Sequence, residues 1–147
     1  MLIAQITDIH LGFDPDNPAE FNRKRLDQVI AMLRDLDPVP DLLLATGDLI
    51  DRGDEDSYRR LKNAFSVCPF PVHMCMGNHD QRDTFASQFP DVPMVGGFVQ
   101  YEVDAGPIRL LVLDTLEEGR HGGAFCEIRA EWPVSYTHLR AHETPEH

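Results

Sequence analysis

Apolar residues run nearly unbroken over positions 2–6, 41–46 and 72–76, and each run gives way to polar residues and glycine. Runs of this kind predict strands covered on both faces, as in a parallel sheet. Between the first two, Leu26, Val29, Ile30, Leu33 and Leu36 recur at the spacing of one helical face, predicting an amphipathic helix over 21–36 that Pro38 and Pro40 close. A second helix is expected over 55–66, with Tyr58, Leu61, Ala64 and Phe65 inward and Asp54 or Asp56 near its start. A weaker helical pattern covers 81–89. Strand and helix alternating in this way imply parallel βαβ units, hence an α/β fold. The closely spaced runs 98–103 and 108–114, joined through Asp104-Ala105-Gly106-Pro107, predict a hairpin. Residues 116–123 read as a loop and 126–132 as the start of another helix, with Phe125 and Trp132 expected in the core.

The 147 residues suit one domain. Lys and Arg total 13 against 25 Asp and Glu, a formal net charge of −12. That balance weighs against a protein that coats nucleic acid, which needs a basic surface to displace counterions. It weighs equally against a polybasic membrane-surface domain, and no apolar run approaches the roughly 18 residues of a membrane span. Three cysteines without CxxC spacing, and a chain that opens on a strand rather than a basic leader, point to a cytoplasmic protein with reduced thiols. No feature points to a particular oligomer.

The last residues read differently. Positions 134–144 match, residue for residue, one reading frame of a common transposase-type sequencing-library adapter. Residues 134–147 are therefore set apart as an adapter-like, non-native tail, leaving 1–133 as the domain. His138, His142 and His147 fall in that tail and are rejected as ligands, although His138 and His142 stand four apart like a helical metal pair.

The chemistry gathers at strand ends. Asp8-Ile9-His10 follows the first strand, Gly47-Asp48 the second and Gly77-Asn78-His79-Asp80 the third. Ligands of parallel α/β sheets bind at the carboxyl ends of strands, so adjacent parallel strands would bring these residues to one rim. Two carboxylates, an imidazole and an amide carbonyl form a mixed oxygen and nitrogen donor set suited to a divalent ion such as Mn, Fe or Zn. The nearby acidic run Asp51, Asp54, Glu55 and Asp56 lacks EF-hand spacing and reads as a solvated cluster that caps a helix. Arg52 and Arg120 are candidates to touch a substrate phosphate.

The ordered triple Asp-x-His, Gly-Asp and Gly-Asn-His-Asp resembles the calcineurin-like metallophosphoesterases over residues 1 to about 132. Within them ITDIHLG at 6–12, GDLID at 47–51 and VLDTLEEG at 112–119 look most like the cyclic-nucleotide and glycerophosphodiester phosphodiesterase branch. The resemblance implies the N-terminal part of a metallophosphoesterase β-sandwich flanked by helices. It implies that Asp8 and His10 bind a first divalent ion, that Asp48 bridges two and that Asn78 binds the second. His79 would act on the scissile phosphodiester, with Asp80 orienting it. Two ions would clamp the phosphate of a small-molecule phosphodiester and activate a bridging water.

In one respect the sequence departs from that family. Complete members supply three further histidines, from a later strand end and a Gly-His-x-His motif, whereas between Asp80 and Trp132 only His121 is available, in a glycine-rich loop. The expectation is a truncated, catalytically inactive chain that binds at most one ion, from a phosphodiesterase parent. The alternatives are a phosphomonoesterase or nuclease of the same fold, or a non-catalytic metal-binding fragment.

Overall fold

Leu43, Ala45 and their neighbours on β2 (Leu42–Thr46) are buried because this strand lies between β1 (Ile3–Ile6) and β3 (Val72–Cys75). A computed structural model describes the backbone of residues 1–141 and the side chains through 135. The three strands are parallel, with Ile6 level with Ala45 and Thr46 level with Cys75, so their carboxyl ends finish together. β1 and β3 are only half buried, because each has one strand neighbour.

The helices between them follow the apolar pattern. On α1 (Phe21–Arg34) Leu26 and Ile30 are buried. The helix stops two residues before the predicted end, which leaves Leu36 exposed. On α2 (Glu55–Phe65) Tyr58, Leu61, Ala64 and Phe65 all face inward as expected. Asp54 caps it, its carboxylate accepting from the Ser57 N–H at 2.8 Å. α3 (Arg82–Gln88) packs against α2, with Phe85 buried and its ring 5.6 Å from that of Tyr58.

The hairpin forms from β4 (Tyr101–Ala105) and β5 (Ile108–Val112), an antiparallel pair separate from the parallel sheet. β4 begins three residues later than predicted. Gly96 and Gly97, both at positive φ, make a two-residue turn in which Val95 and Phe98 exchange backbone hydrogen bonds, and this claims Phe98 before the strand begins. The hairpin joins the edge of β3 through a side chain. Met74 donates its N–H to the Tyr101 hydroxyl at 2.8 Å, and that hydroxyl donates to the Met74 carbonyl at 2.9 Å. One phenol thus satisfies the N–H and carbonyl that Met74 would otherwise offer to a fourth strand.

α4 (Glu127–Ala141) continues through Pro133, so the backbone over 134–141 is helical where the sequence sets a tail apart. The side chain of His138, and His142 and His147 entirely, lie outside the described residues. Phe125, expected in the core, is 44% exposed, and the first turn of α4 is anchored instead by Arg129, which donates to the Leu116 carbonyl at 2.8 Å.

Candidate metal centre

The loops that follow β1 and β2 continue side by side past the sheet. Asp8 donates its N–H to the Gly47 carbonyl, His10 to that of Asp48 and Leu11 to that of Leu49, and Asp51 donates back to Leu11. Leu11, Leu49 and Ile50 are fully buried beneath this ladder and fix it from below. Asp8, His10 and Asp48 have φ of 54°, 47° and 46°, and they are the non-glycine residues with positive φ among those described. Left-handed backbone is unfavourable for a residue with a Cβ and concentrates at functional sites. Here it turns three polar side chains to one rim.

His10 supplies the centre of that rim. Its Nδ1 lies 3.2 Å from an Asp51 carboxylate oxygen, which fixes the ring. The Nε2 then faces Asp8 Oδ1 at 3.9 Å and Asp48 Oδ2 at 3.7 Å. Both legs meet at one nitrogen, so the two carboxylate oxygens stand less than about 8 Å apart, within reach of ions at the 3.5–4 Å spacing of two-metal sites. These separations exceed a hydrogen bond yet suit donors that share a cation. His10, Asp48 and His79 each offer a donor atom, all within 4.8 Å of one another. An imidazole pair with a carboxylate is a donor set that fits a divalent transition ion.

Asp48 is held on its other oxygen, where the His79 N–H donates to Oδ1 at 2.9 Å. The chain at Gly77 passes so close that a Cβ there would stand 2.1 Å from the Asp48 nitrogen, so the motif requires glycine at this point. His79 stacks edge-on against His10, with ring centroids 4.6 Å apart. Its Nδ1 lies 2.7 Å from the Asp51 carbonyl, and because a carbonyl only accepts, Nδ1 carries the hydrogen. That bond, followed by the charges of Asp48, Asp51 and Asp80, raises the His79 pKa above its ordinary value despite partial desolvation.

Asp80 has another task than the one expected of it. Its buried carboxylate accepts from the Gly77 N–H at 2.8 Å, the Leu49 N–H at 3.2 Å, the Ile50 N–H at 3.4 Å and the Tyr58 hydroxyl at 3.0 Å. It therefore ties the β2 loop to the β3 loop, and Asp51 orients His79. Burial pushes the Asp80 pKa up to about 6, against the four donors that favour its charged form.

Asn78 stands at the margin, with its amide nitrogen 3.5 Å from His121 Nδ1. Its side chain therefore turns toward the loop after β5 rather than toward His10. Asp8 is also peripheral, 61% exposed and accepting from the Thr7 hydroxyl.

Sequence reasoning missed two positioning residues. Asp51 belongs in sequence to an acidic run, yet it follows Asp48 by three residues across two buried apolar positions, a spacing that returns a carboxylate to the same rim. Asn22, on the first turn of α1, donates to the His10 carbonyl at 2.9 Å and had no sequence signal.

A family model described as calcineurin-like phosphoesterase matches residues 1–136. A relative from Rhodopseudomonas palustris named "Probable cyclic nucleotide phosphodiesterase" is 33% identical over 140 residues, covering 88% of this chain and 48% of the relative. One from Arcobacter nitrofigilis, named "Probable glycerophosphodiester phosphodiesterase", is 27% identical over 137 residues, covering 90% and 50%. A 3′,5′-cyclic adenosine monophosphate phosphodiesterase from Pseudomonas aeruginosa is 30% identical over 120 residues, covering 78% and 42%. The chain thus spans about half the length of the curated relatives it matches.

Proposed function

The chain belongs to the calcineurin-like phosphoesterase family, and from that premise we propose that its strand-end rim is part of a metal-dependent phosphodiesterase centre. The substrate class is a small-molecule phosphodiester of the cyclic-nucleotide or glycerophosphodiester type. The observation that carries this reading is the convergence of His10 Nε2 on Asp8 Oδ1 at 3.9 Å and on Asp48 Oδ2 at 3.7 Å, all three on left-handed backbone, with His79 beside them.

His10, through Nε2, and Asp48 would hold a first divalent ion with Asp8 beside them, and Asp48 with Asn78 would contribute to a second in the whole enzyme. Bound ions supply Lewis-acid activation of water and neutralise phosphate charge. His79 keeps its Nδ1–H on the Asp51 carbonyl, so the ring gains or gives a proton at Nε2. Nε2 is then the atom from which the ring can give a proton to the leaving alkoxide oxygen. Asp51 is a positioning residue for both imidazoles. His10, Asp48 and His79 also form one three-donor group within 4.8 Å, so a second reading is that all three bind a single ion, without turnover.

Metal content and turnover of a chromogenic phosphodiester together test the assignment. Asp48→Ala should abolish metal binding. His79→Ala should retain most metal and, in an active full-length relative, lose about 10²–10⁴-fold in turnover. Equal metal loss in both variants would make His79 a ligand and not the acid.

A further inference from the structure

Beside the metal centre lies a groove of about 680 Å³ whose lining includes His10, Asp51 and His79 together with Phe13 and Phe21. Both phenylalanines are exposed, at 65% and 72%. Their backbones are nevertheless fixed. Glu20 is buried, and its carboxylate accepts from the N–H groups of Gly12 and Asp14, the two neighbours of Phe13. Phe21 opens α1 one residue before Asn22, which grips the His10 carbonyl, and the Arg25 guanidinium lies 5.6 Å from the Phe21 ring centroid. A buried carboxylate that holds a loop so that its one aromatic ring faces water is hard to explain by packing, since that ring contributes nothing to the core.

We propose that Phe13 and Phe21 form a preorganised aromatic platform for the nucleobase of a nucleoside phosphodiester. This rests on the phosphodiesterase reading and narrows it to nucleotide-type substrates over glycerol-headed ones. Three features support the choice of occupant. The groove shares His10, Asp51 and His79 with the centre, so a phosphate held there places its nucleoside arm alongside both rings. The exposed Phe13 ring and the face of Phe21 that Arg25 does not cover favour a flat π-system, and stacking on an aromatic side chain is sequence-tolerant across bases. A glycerol arm is polar and flexible and gains nothing from a phenyl face.

Isothermal titration of the Zn²⁺-loaded 147-residue chain with adenosine 5′-monophosphate, ribose 5-phosphate and adenosine tests this. The first two ligands differ only in the base. The nucleotide should bind more tightly than the sugar phosphate by roughly 5- to 150-fold, the range expected of one stacked base. Phe13→Leu and Phe21→Leu keep apolar bulk and lose the π-face; each should shrink that gap while leaving ribose 5-phosphate and Zn²⁺ affinities unchanged. Equal binding of nucleotide and sugar phosphate would overturn the platform and leave the phosphodiesterase reading standing. Adenosine binding as well as the nucleotide, with loss in both phenylalanine variants, would support the platform and overturn the metal-anchored phosphate. No binding of any of the three would overturn both.

Discussion

At the strand-end rim, His10 Nε2 stands on strained backbone 3.7–3.9 Å from the Asp8 and Asp48 carboxylates, short of hydrogen bonding to either. Past β5 the pattern reverses. Asp114 is fully buried, takes a bidentate pair from Arg82 at 2.8 Å, and accepts from the N–H groups of Val99 and Leu116 at 2.9 and 3.0 Å. Arg129 of α4 reaches the Asp114 and Leu116 carbonyls, and the two guanidinium groups lie 4.9 and 4.6 Å from the Phe98 ring centroid. One region uses its hydrogen bonds to orient the imidazoles and leaves His10 Nε2, an Asp8 oxygen and an Asp48 oxygen facing one another unbonded, as a site that binds a cation requires. The other satisfies every lone pair it can, as a structural joint requires. The joint also serves the site, because it fixes the start of the loop that delivers His121 to Asn78.

Removing the centre of that joint should have the largest effect. Asp114→Ala strips the largely buried Arg82 of its bidentate partner and leaves Arg129 only the two carbonyls, and breaking a buried pair typically costs about 3–5 kcal/mol. Chemical denaturation should show that loss. Hydrogen exchange should show protection falling around β4, β5 and α4 while β1 to β3 hold. Equal loss in the parallel sheet would show that the two regions are one cooperative unit.

A smaller, pH-dependent effect belongs to the tie between the rim loops. Burial raises Asp80 from its ordinary 3.8 to about 6, so its contribution to stability is complete below about pH 4 and is lost as pH rises through 6. By linkage that window is worth roughly 2–3 kcal/mol. Asp80→Asn removes the titration, so its stability deficit relative to the parent chain should be greatest near pH 4 and shrink by pH 7. Urea denaturation at both pH values checks the sign, and a deficit that grows with pH would mean the four hydrogen-bond donors outweigh desolvation.

The thiols give the mildest contrast. Burial pushes the thiols of Cys68, between α2 and β3, and Cys75, at the end of β3, above the usual range. A hydrogen bond from Arg129 at 3.5 Å draws the exposed Cys126 below it. Iodoacetamide near neutral pH should alkylate Cys126 first, since the thiolate is the nucleophile. Mass spectrometry would read the order, and earlier modification of Cys75 would place the more open structure in the parallel sheet.

The parallel unit was legible because its signals are local. Continuous apolar runs placed β1, β2 and β3, helical spacing placed the inward face of α2, and the strand-end motifs placed Asp8, His10, Asp48, Asn78 and His79 on adjacent parallel strands. The orienting partner of His79 was not legible. Asp80 adjoins it in sequence, yet four donors from the β2 loop, the β3 loop and α2 claim the Asp80 carboxylate, leaving Asp51 to hold both imidazoles. A neighbour in sequence is a partner only if no stronger set of donors competes for it.

Periodicity and the order of three short motifs determined the α/β class, the family and which strand ends carry donors, because each is written within a few consecutive residues. Tertiary structure alone decided that Asp51 serves the site, that Asp114 joins α3 to α4, that Tyr101 closes the edge of β3 and that Glu20 turns Phe13 outward. Each of those depends on a polar atom meeting a partner distant in the chain or across a turn, and only the packed chain determines which of several possible partners it meets.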